Sequence, residues 1–292
     1  MKKVVLVCVL FICLATMTGC LKKLTYDNGY AVETSDDLEY DYRNMYLKGD
    51  TGNLTGKELE AFNAACKIYK LYIEKSGSDY DKIKAAHDYI VRNCTYNKEA
   101  IDNDTLSDDD FTEYGTLVKG LSVCEGYAKA FMMLMNIADI ECMMVTGRAG
   151  ENDVLHAWNM VKLDGKWYHI DVTFDDPYPE TDEIVYLYFN ISDDIIAKDH
   201  TWDTELTPEA DDNSYDIVNN KIKQLVTVEE FYLFINSSIN TNENNISFVW
   251  TGKELIDDMQ WRKALSNTSI ANASYSCVGV EGRRLYMVKF GY

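Results

Sequence analysis

His156-Ala-Trp-Asn-Met-Val-Lys-Leu-Asp164-Gly165-Lys-Trp-Tyr-His-Ile-Asp171 places an Asp-Gly pair between two runs that alternate apolar and polar residues. A two-residue turn of that kind joins antiparallel strands, because Asp and Gly tolerate the left-handed backbone that the favoured hairpin turns require. With Leu163 facing Lys166, Trp158 opposes Asp171 and His156 opposes Thr173. Opposed residues share a face and side chains alternate along a strand. The spacing therefore predicts His156 and Asp171 on one face as diagonal neighbours, roughly 7 to 8 Å apart at the backbone. An imidazole and a carboxylate can close that gap. His169 shares the face but opposes Met160, and reads as packing or as support behind the pair. Asp175 and Asp176 fall past the strand end and are weaker candidates for orienting His156.

Upstream, Tyr114-Gly-Thr-Leu-Val-Lys-Gly-Leu-Ser-Val-Cys124-Glu-Gly-Tyr-Ala-Lys-Ala-Phe131 changes the period from strand to helix. Val123, Tyr127, Ala130, Phe131, Leu134 and Ile137 mark one apolar helix face, and Ser122 with Glu125 three residues on predicts a capping box. Cys124 then sits in the first helical turn. There the unpaired N–H groups and the positive end of the helix dipole favour a thiolate, the form of cysteine that attacks carbonyls. A small apolar cysteine that happens to start a helix is the alternative, and His156 is the base that decides against it. A metal centre of Cys124, His156, His169 and His200 is the rival constellation. The short ligand spacings of zinc sites are absent, so no metal or cofactor is expected.

Two helices precede this segment. Leu59, Phe62, Ala65, Cys66, Tyr69 and Tyr72 recur at helical spacing within Thr55 to Lys75, and Ser76-Gly77 stops that run. Ser78 caps the next helix with Asp81, and Ile83, Ala86, His87, Ile90 and Val91 form its buried stripe, which makes His87 a satisfied core histidine rather than a ligand. Asp102 to Glu113 is acidic, but Leu106 and Ser107 stand where a calcium loop needs an oxygen ligand and a glycine, so it reads as a solvated loop. After residue 205 the texture becomes Asn-rich. Lys221 to Thr227, Glu229 to Asn236, Ile246 to Trp250, Glu254 to Leu265, Ser274 to Val280 and Arg284 to Phe290 predict strand, helix, strand, helix, strand, strand.

The 292 residues carry 28 Lys+Arg against 48 Asp+Glu, a formal charge of −20. That excludes nucleic acid as a partner, because neutralising phosphates needs a basic surface. A 47% hydrophobic and 26% charged composition is that of a folded chain. Lys2 and Lys3 precede the apolar run Val4 to Ala15 and a small-residue exit ending Gly19-Cys20. This pattern predicts a lipoprotein signal over residues 1–19, with Cys20 lipidated and the protein held on the outer side of a bacterial membrane. An ordinary secretory peptide is the alternative; in both cases the protein leaves the cytoplasm. Residues 20–51 lack periodicity and read as a tether. Cys66, Cys94, Cys124, Cys142 and Cys277 then remain, an odd number that permits a reactive thiol and leaves any disulfide pairing open.

The stretch from Tyr114 to Pro177, with Cys124-Glu-Gly-Tyr-Ala, His156-Ala-Trp-Asn and Trp167-Tyr-His-Ile-Asp171-Val-Thr-Phe-Asp-Asp-Pro, resembles the bacterial transglutaminase-like superfamily. With the preceding helices the resemblance covers residues 52–205 and leaves 206–292 as a separate small α/β domain. It implies an α+β, papain-like core, N-terminal helices packed on an antiparallel sheet. It also implies Cys124 as nucleophile, His156 as general base and acid, and Asp171 as the group orienting the imidazole. Supporting roles fall to Tyr114, with the Cys124 N–H at the oxyanion, and to Trp158 and His169. Glu125 stands where animal transglutaminases carry Trp, so their calcium dependence and glutamine-to-lysine cross-linking are not implied. The expected activity is hydrolysis of a peptide or isopeptide amide, cell-wall peptide included, through a thioester. Glutamine transamidation or deamidation is the second reading, and a non-catalytic wall- or protein-binding module on the same fold the third.

Overall fold

The computed structural model describes residues 3–6, 30–34, 37–150, 152–176, 184–252, 254–266, 268, 270, 272–280 and 283–291. The chain divides into two units, Cys13–Tyr215 and Met1–Ile12 with Asp216–Tyr292. Cys20, Cys8 and Cys13 lie outside the described residues, as do residues 177–183.

In the first unit the Asp-Gly hairpin forms between strands Val154–Leu163 and Lys166–Ile170, with pairs from Leu163↔Lys166 to Asn159↔Ile170 in the expected register. Asp164 and Gly165 take φ of 50° and 80°, the paired positive values of that turn type. The sheet is antiparallel throughout, in the order Ala31–Thr34, Cys142–Ala149, Val154–Leu163, Lys166–Ile170, Phe189–Ile191, and His200–Thr201 also pairs with Cys142–Ala149. Helices and antiparallel sheet together make the α+β core. Asp212 fastens the end of the unit to the hairpin, accepting from Lys166 Nζ at 2.6 Å and Tyr168 Oη at 2.7 Å.

Helix Cys124–Ala138 runs through the middle of this core. Every residue except Lys129 and Asn136 is buried, so the single apolar face expected from periodicity is in fact burial on all sides. It packs on both central strands and on helix Asp79–Asn93, and a helix sandwiched in this way has no solvated face. Helix Asp79–Asn93 has the Ser78–Asp81 capping box and buries Ile83, Ala86, His87, Ile90 and Val91. The preceding helix, Gly56–Ile68, continues as a π-helical turn over Tyr69–Ile73. One extra residue in that turn rotates the phase, so Ile73 is buried and Tyr72, expected inside, is 58% exposed.

The second unit contains the six segments in the expected order: strand Lys223–Leu225, helix Val228–Asn240, strand Asn245–Trp250, helix Asp258–Leu265, and strands Asn272–Val280 and Arg283–Gly291. A further strand, Lys3–Leu6, lies parallel beside Asn272–Tyr275. Phe231, Phe248, Trp261, Tyr275 and Tyr286 fill its core, and a buried Arg283–Asp216 pair at 2.9 Å ties the first residue of the unit's main segment to its last strand. Among the described residues no helix is long and apolar enough to cross a membrane.

Candidate active site

Cys124 is the first residue of its helix, after Val123 at the cap position. The capping box expected from Ser122 and Glu125 does not form. Ser122 belongs instead to a two-residue strand, Leu121–Ser122, and its buried hydroxyl bonds to Thr116 Oγ1 at 2.7 Å. Glu125 reaches forward one turn to Lys129 Nζ at 2.6 Å. With no side chain capping this helix start, the dipole's positive end is available to the thiol.

The sheet brings His156 to Asp171. Asp171 follows the last hairpin residue, its N–H donates to the Tyr188 carbonyl at 3.0 Å, and its side chain is wholly buried. His156 Nε2 donates to Asp171 Oδ2 at 2.6 Å. Cys124 hydrogen-bonds the same imidazole. Burial alone would lower the imidazole's proton affinity, but the Asp171 charge and the Cys124 sulfur overcome it and raise its pKa to about 9. Phe174 closes on His156 with ring centroids 4.8 Å apart, and Trp158 stacks on it at 6.0 Å and 16°.

Asp171 is saturated. Oδ1 accepts the backbone N–H groups of Thr173 and Phe174, both at 3.0 Å, while Oδ2 accepts from His156 and, at 3.0 Å, from His200 Nε2. Burial opposes ionisation, yet His156 and His200 outweigh it and hold the carboxyl well below the usual carboxylate range. The sequence puts His200 in the rival metal set and gives it no role beside Asp171; that position depends on the short strand His200–Thr201.

The other sequence candidates have partners of their own. His169 Nδ1 accepts from the Trp158 indole at 2.9 Å and its Nε2 donates to Asp193 Oδ1 at 2.8 Å, so it is a neutral ring that holds Trp158 against His156. Burial lowers its proton affinity further. Tyr114 lies under two ammonium groups, with Lys57 Nζ 5.5 Å and Lys119 Nζ 6.0 Å from its ring centre. Asp175 is taken by His87, at 3.1 Å, and by the Tyr188 N–H, and Asp176 accepts from Tyr127 Oη at 2.6 Å.

His156, Asp171 and His200 place three potential ligand atoms within 4.8 Å of one another. Separations of 2.6 and 3.0 Å are those of shared protons, and Asp171 Oδ2 is already used by both rings. The set Cys124, His156, His169, His200 is not assembled, because both nitrogens of His169 are engaged with Trp158 and Asp193. No disulfide joins the described cysteines. Burial pushes the Cys66 and Cys94 thiols up to about 11, and raises that of Cys142 as well.

Residues 68–172 match the model of the Transglutaminase-like superfamily, a span that holds Cys124, His156 and Asp171. Among characterised proteins, 112 residues are 26% identical to the kyphoscoliosis peptidase of Mus musculus, covering 35% of this chain and 17% of that protein. Its Homo sapiens counterpart is 34% identical over 61 residues, 18% of this chain and 9% of that one. This chain thus spans less than a fifth of the length of the relatives it matches. A crystal structure of a TGase aligns with 49% of this chain and 40% of its own, at 22% identity and a TM-score of 0.38.

Proposed function

We propose that this protein is an exported, lipid-anchored cysteine acyltransferase that hydrolyses peptide or isopeptide amides through a thioester. One observation carries the reading: a buried imidazole hydrogen-bonded both to a carboxylate and to a cysteine at a helix start. In the resting state the proton lies on His156 and Cys124 is a thiolate, stabilised by the imidazolium and the helix dipole. The thiolate attacks the amide carbonyl carbon, and the Cys124 N–H donates to the developing oxyanion, with Tyr114 assigned beside it. The C–N bond breaks as the imidazolium gives its proton to the departing amine. Water then attacks the thioester, losing a proton to the now neutral His156, and the carboxylic acid leaves with the thiolate restored. Asp171 stays ionised throughout and fixes the ring.

Transglutaminase-like enzymes act on protein or peptide substrates, and the likeness to a peptidase favours hydrolysis over transamidation. The test is iodoacetamide labelling of the folded protein near pH 5.5, counted by site in the mass spectrometer. Cys124 should react faster than Cys66, Cys94, Cys142 and Cys277, and His156→Ala should remove that advantage. Equal or slower labelling of Cys124, indifferent to His156→Ala, would retire the enzyme reading in favour of a binding module. Profiling with peptide and amine libraries then separates a free acid product from a new amide.

A further inference from the structure

A second histidine sits on the carboxylate that orients His156, and its other side faces a second carboxylate. His200 Nε2 lies 3.0 Å from Asp171 Oδ2 and its Nδ1 lies 2.8 Å from Asp199 Oδ1. All three side chains are almost wholly buried. A carboxylate oxygen can only accept, so each ring nitrogen must carry a proton to satisfy its partner, and a neutral imidazole has only one. Asp199 is held in turn by the Tyr188 hydroxyl at 2.5 Å. The result is a buried row, Tyr188–Asp199–His200–Asp171–His156, which ends at the ring that bonds Cys124. Trp158, Phe174 and Tyr188 pack around His200 at ring distances of 5.1, 4.8 and 5.5 Å, and His156 is 5.5 Å away. The charged groups facing it are therefore Asp171, Asp199 and the His156 ring, with neutral His169 behind Trp158.

The sheet makes room for this ring. Gly147 lies beside strand His200–Thr201, and a methyl there would overlap the Thr201 carbonyl oxygen and come within 3.0 Å of the Trp158 ring. Any larger residue would push the strand, and His200 with it, away from Asp171.

We propose that His200 is a positioning residue: an imidazolium charged through the neutral range, clamped between Asp171 and Asp199, that fixes Asp171 and tempers its pull on the His156 proton. This rests on the reading of Cys124 and His156 as the reacting pair. Two rings share Oδ2, and only one of them transfers protons. The fixed donor spends part of the carboxylate's accepting capacity, and its positive charge disfavours a second one on His156 while favouring the thiolate beyond it. The ordinary partner of a catalytic imidazole is one carboxylate; here that carboxylate is balanced by a second cation. Burial opposes a charge on His200, but Asp171 and Asp199 raise its pKa to about 9.

The chain has only four histidines, so their ring nitrogens can be followed individually by nitrogen-15 NMR on the unaltered full chain. At about pH 7, His200 should show both ring nitrogens protonated, with His169 as the internal control holding one. A singly protonated His200 at that pH would overturn the proposal. The second measurement is the pH profile of Cys124 alkylation by iodoacetamide in His200→Gln, which keeps a donor and removes the charge. Loss of a cation near the thiolate and near the imidazolium should move both inflections upward by about one pH unit. A profile superimposable on the wild type, in a variant with native thermal unfolding, would also overturn it. Slow wild-type labelling at pH 5.5 would instead defeat the enzyme reading, and the His200 ring spectrum would still decide this one.

Discussion

Asp171 is where most of the chemistry converges, since four hydrogen bonds end on one buried carboxylate. Asp171→Asn keeps the shape and can still accept from Thr173 and Phe174, but its amide stabilises an imidazolium poorly. Turnover on any confirmed substrate should fall about 10³- to 10⁴-fold, while Cys124 remains alkylatable above neutral pH. Wild-type turnover would remove Asp171 from the mechanism. The pair with His156 was legible in the sequence, because hairpin register follows from the Asp-Gly turn and from strand alternation. The neighbouring acids were not: Asp175 and Asp176 lie within five residues of Asp171, yet His87 and Tyr127 claim them. Those partners come from helices, and strand periodicity says nothing about which helix residue will meet a loop.

At the scale of elements, the start of helix Cys124–Ala138 is set by contacts more than by propensity. A Cβ on Gly126 would fall 2.8 Å from the Asp110 carbonyl oxygen and 2.9 Å from Ser122 Cβ. Gly126→Ala would otherwise gain about 1 kcal/mol in helix propensity, but overpacking a buried site costs about 1 to 3 kcal/mol. The variant should be less stable in urea unfolding, with slower Cys124 alkylation because the helix start shifts. A more stable variant with unchanged labelling would show that this backbone approach is loose. The helix was evident from its spacing, but its burial on all sides was not. Glu125 and Lys129 pair within the helix at 2.6 Å, and as a sequence such a pair looks like a solvated face. The π-helical turn at Tyr69–Ile73 was likewise hidden, since a 3.6-residue pattern cannot announce a one-residue insertion.

For the whole molecule, the buried charges link stability to pH. His156 and His200 both have folded pKa values raised to about 9. Their contribution is fully present below the ordinary histidine value of about 6.5 and is lost as pH rises through about 9. The melting temperature should therefore fall between about pH 7 and pH 9.5, and Asp171→Asn, which removes the shared acceptor, should flatten that fall. Identical slopes in the two proteins would disprove the linkage. The turnover profile should also lose its alkaline limb near 9, as His156 gives up the proton needed by the leaving amine. The proposed export and anchoring belong to this scale too. Cys20→Ser should release the protein from membranes or leave its precursor uncleaved, and unchanged membrane retention with normal processing would point to another tether.

By itself, the sequence determined the hairpin register, a helix with Cys124 in its first turn, and the shared face of His156 and Asp171. Each of these depends on neighbours a few residues apart, through turn chemistry, alternation or helical period. The tertiary structure alone decided that His200 shares Asp171 and that His87 holds Asp175, contacts that span 29 and 88 residues of chain. Such pairs are chosen by strand order, by a glycine that lets one strand approach another, and by the demand that every buried charge find a partner. That demand applies only once the chain has closed around them.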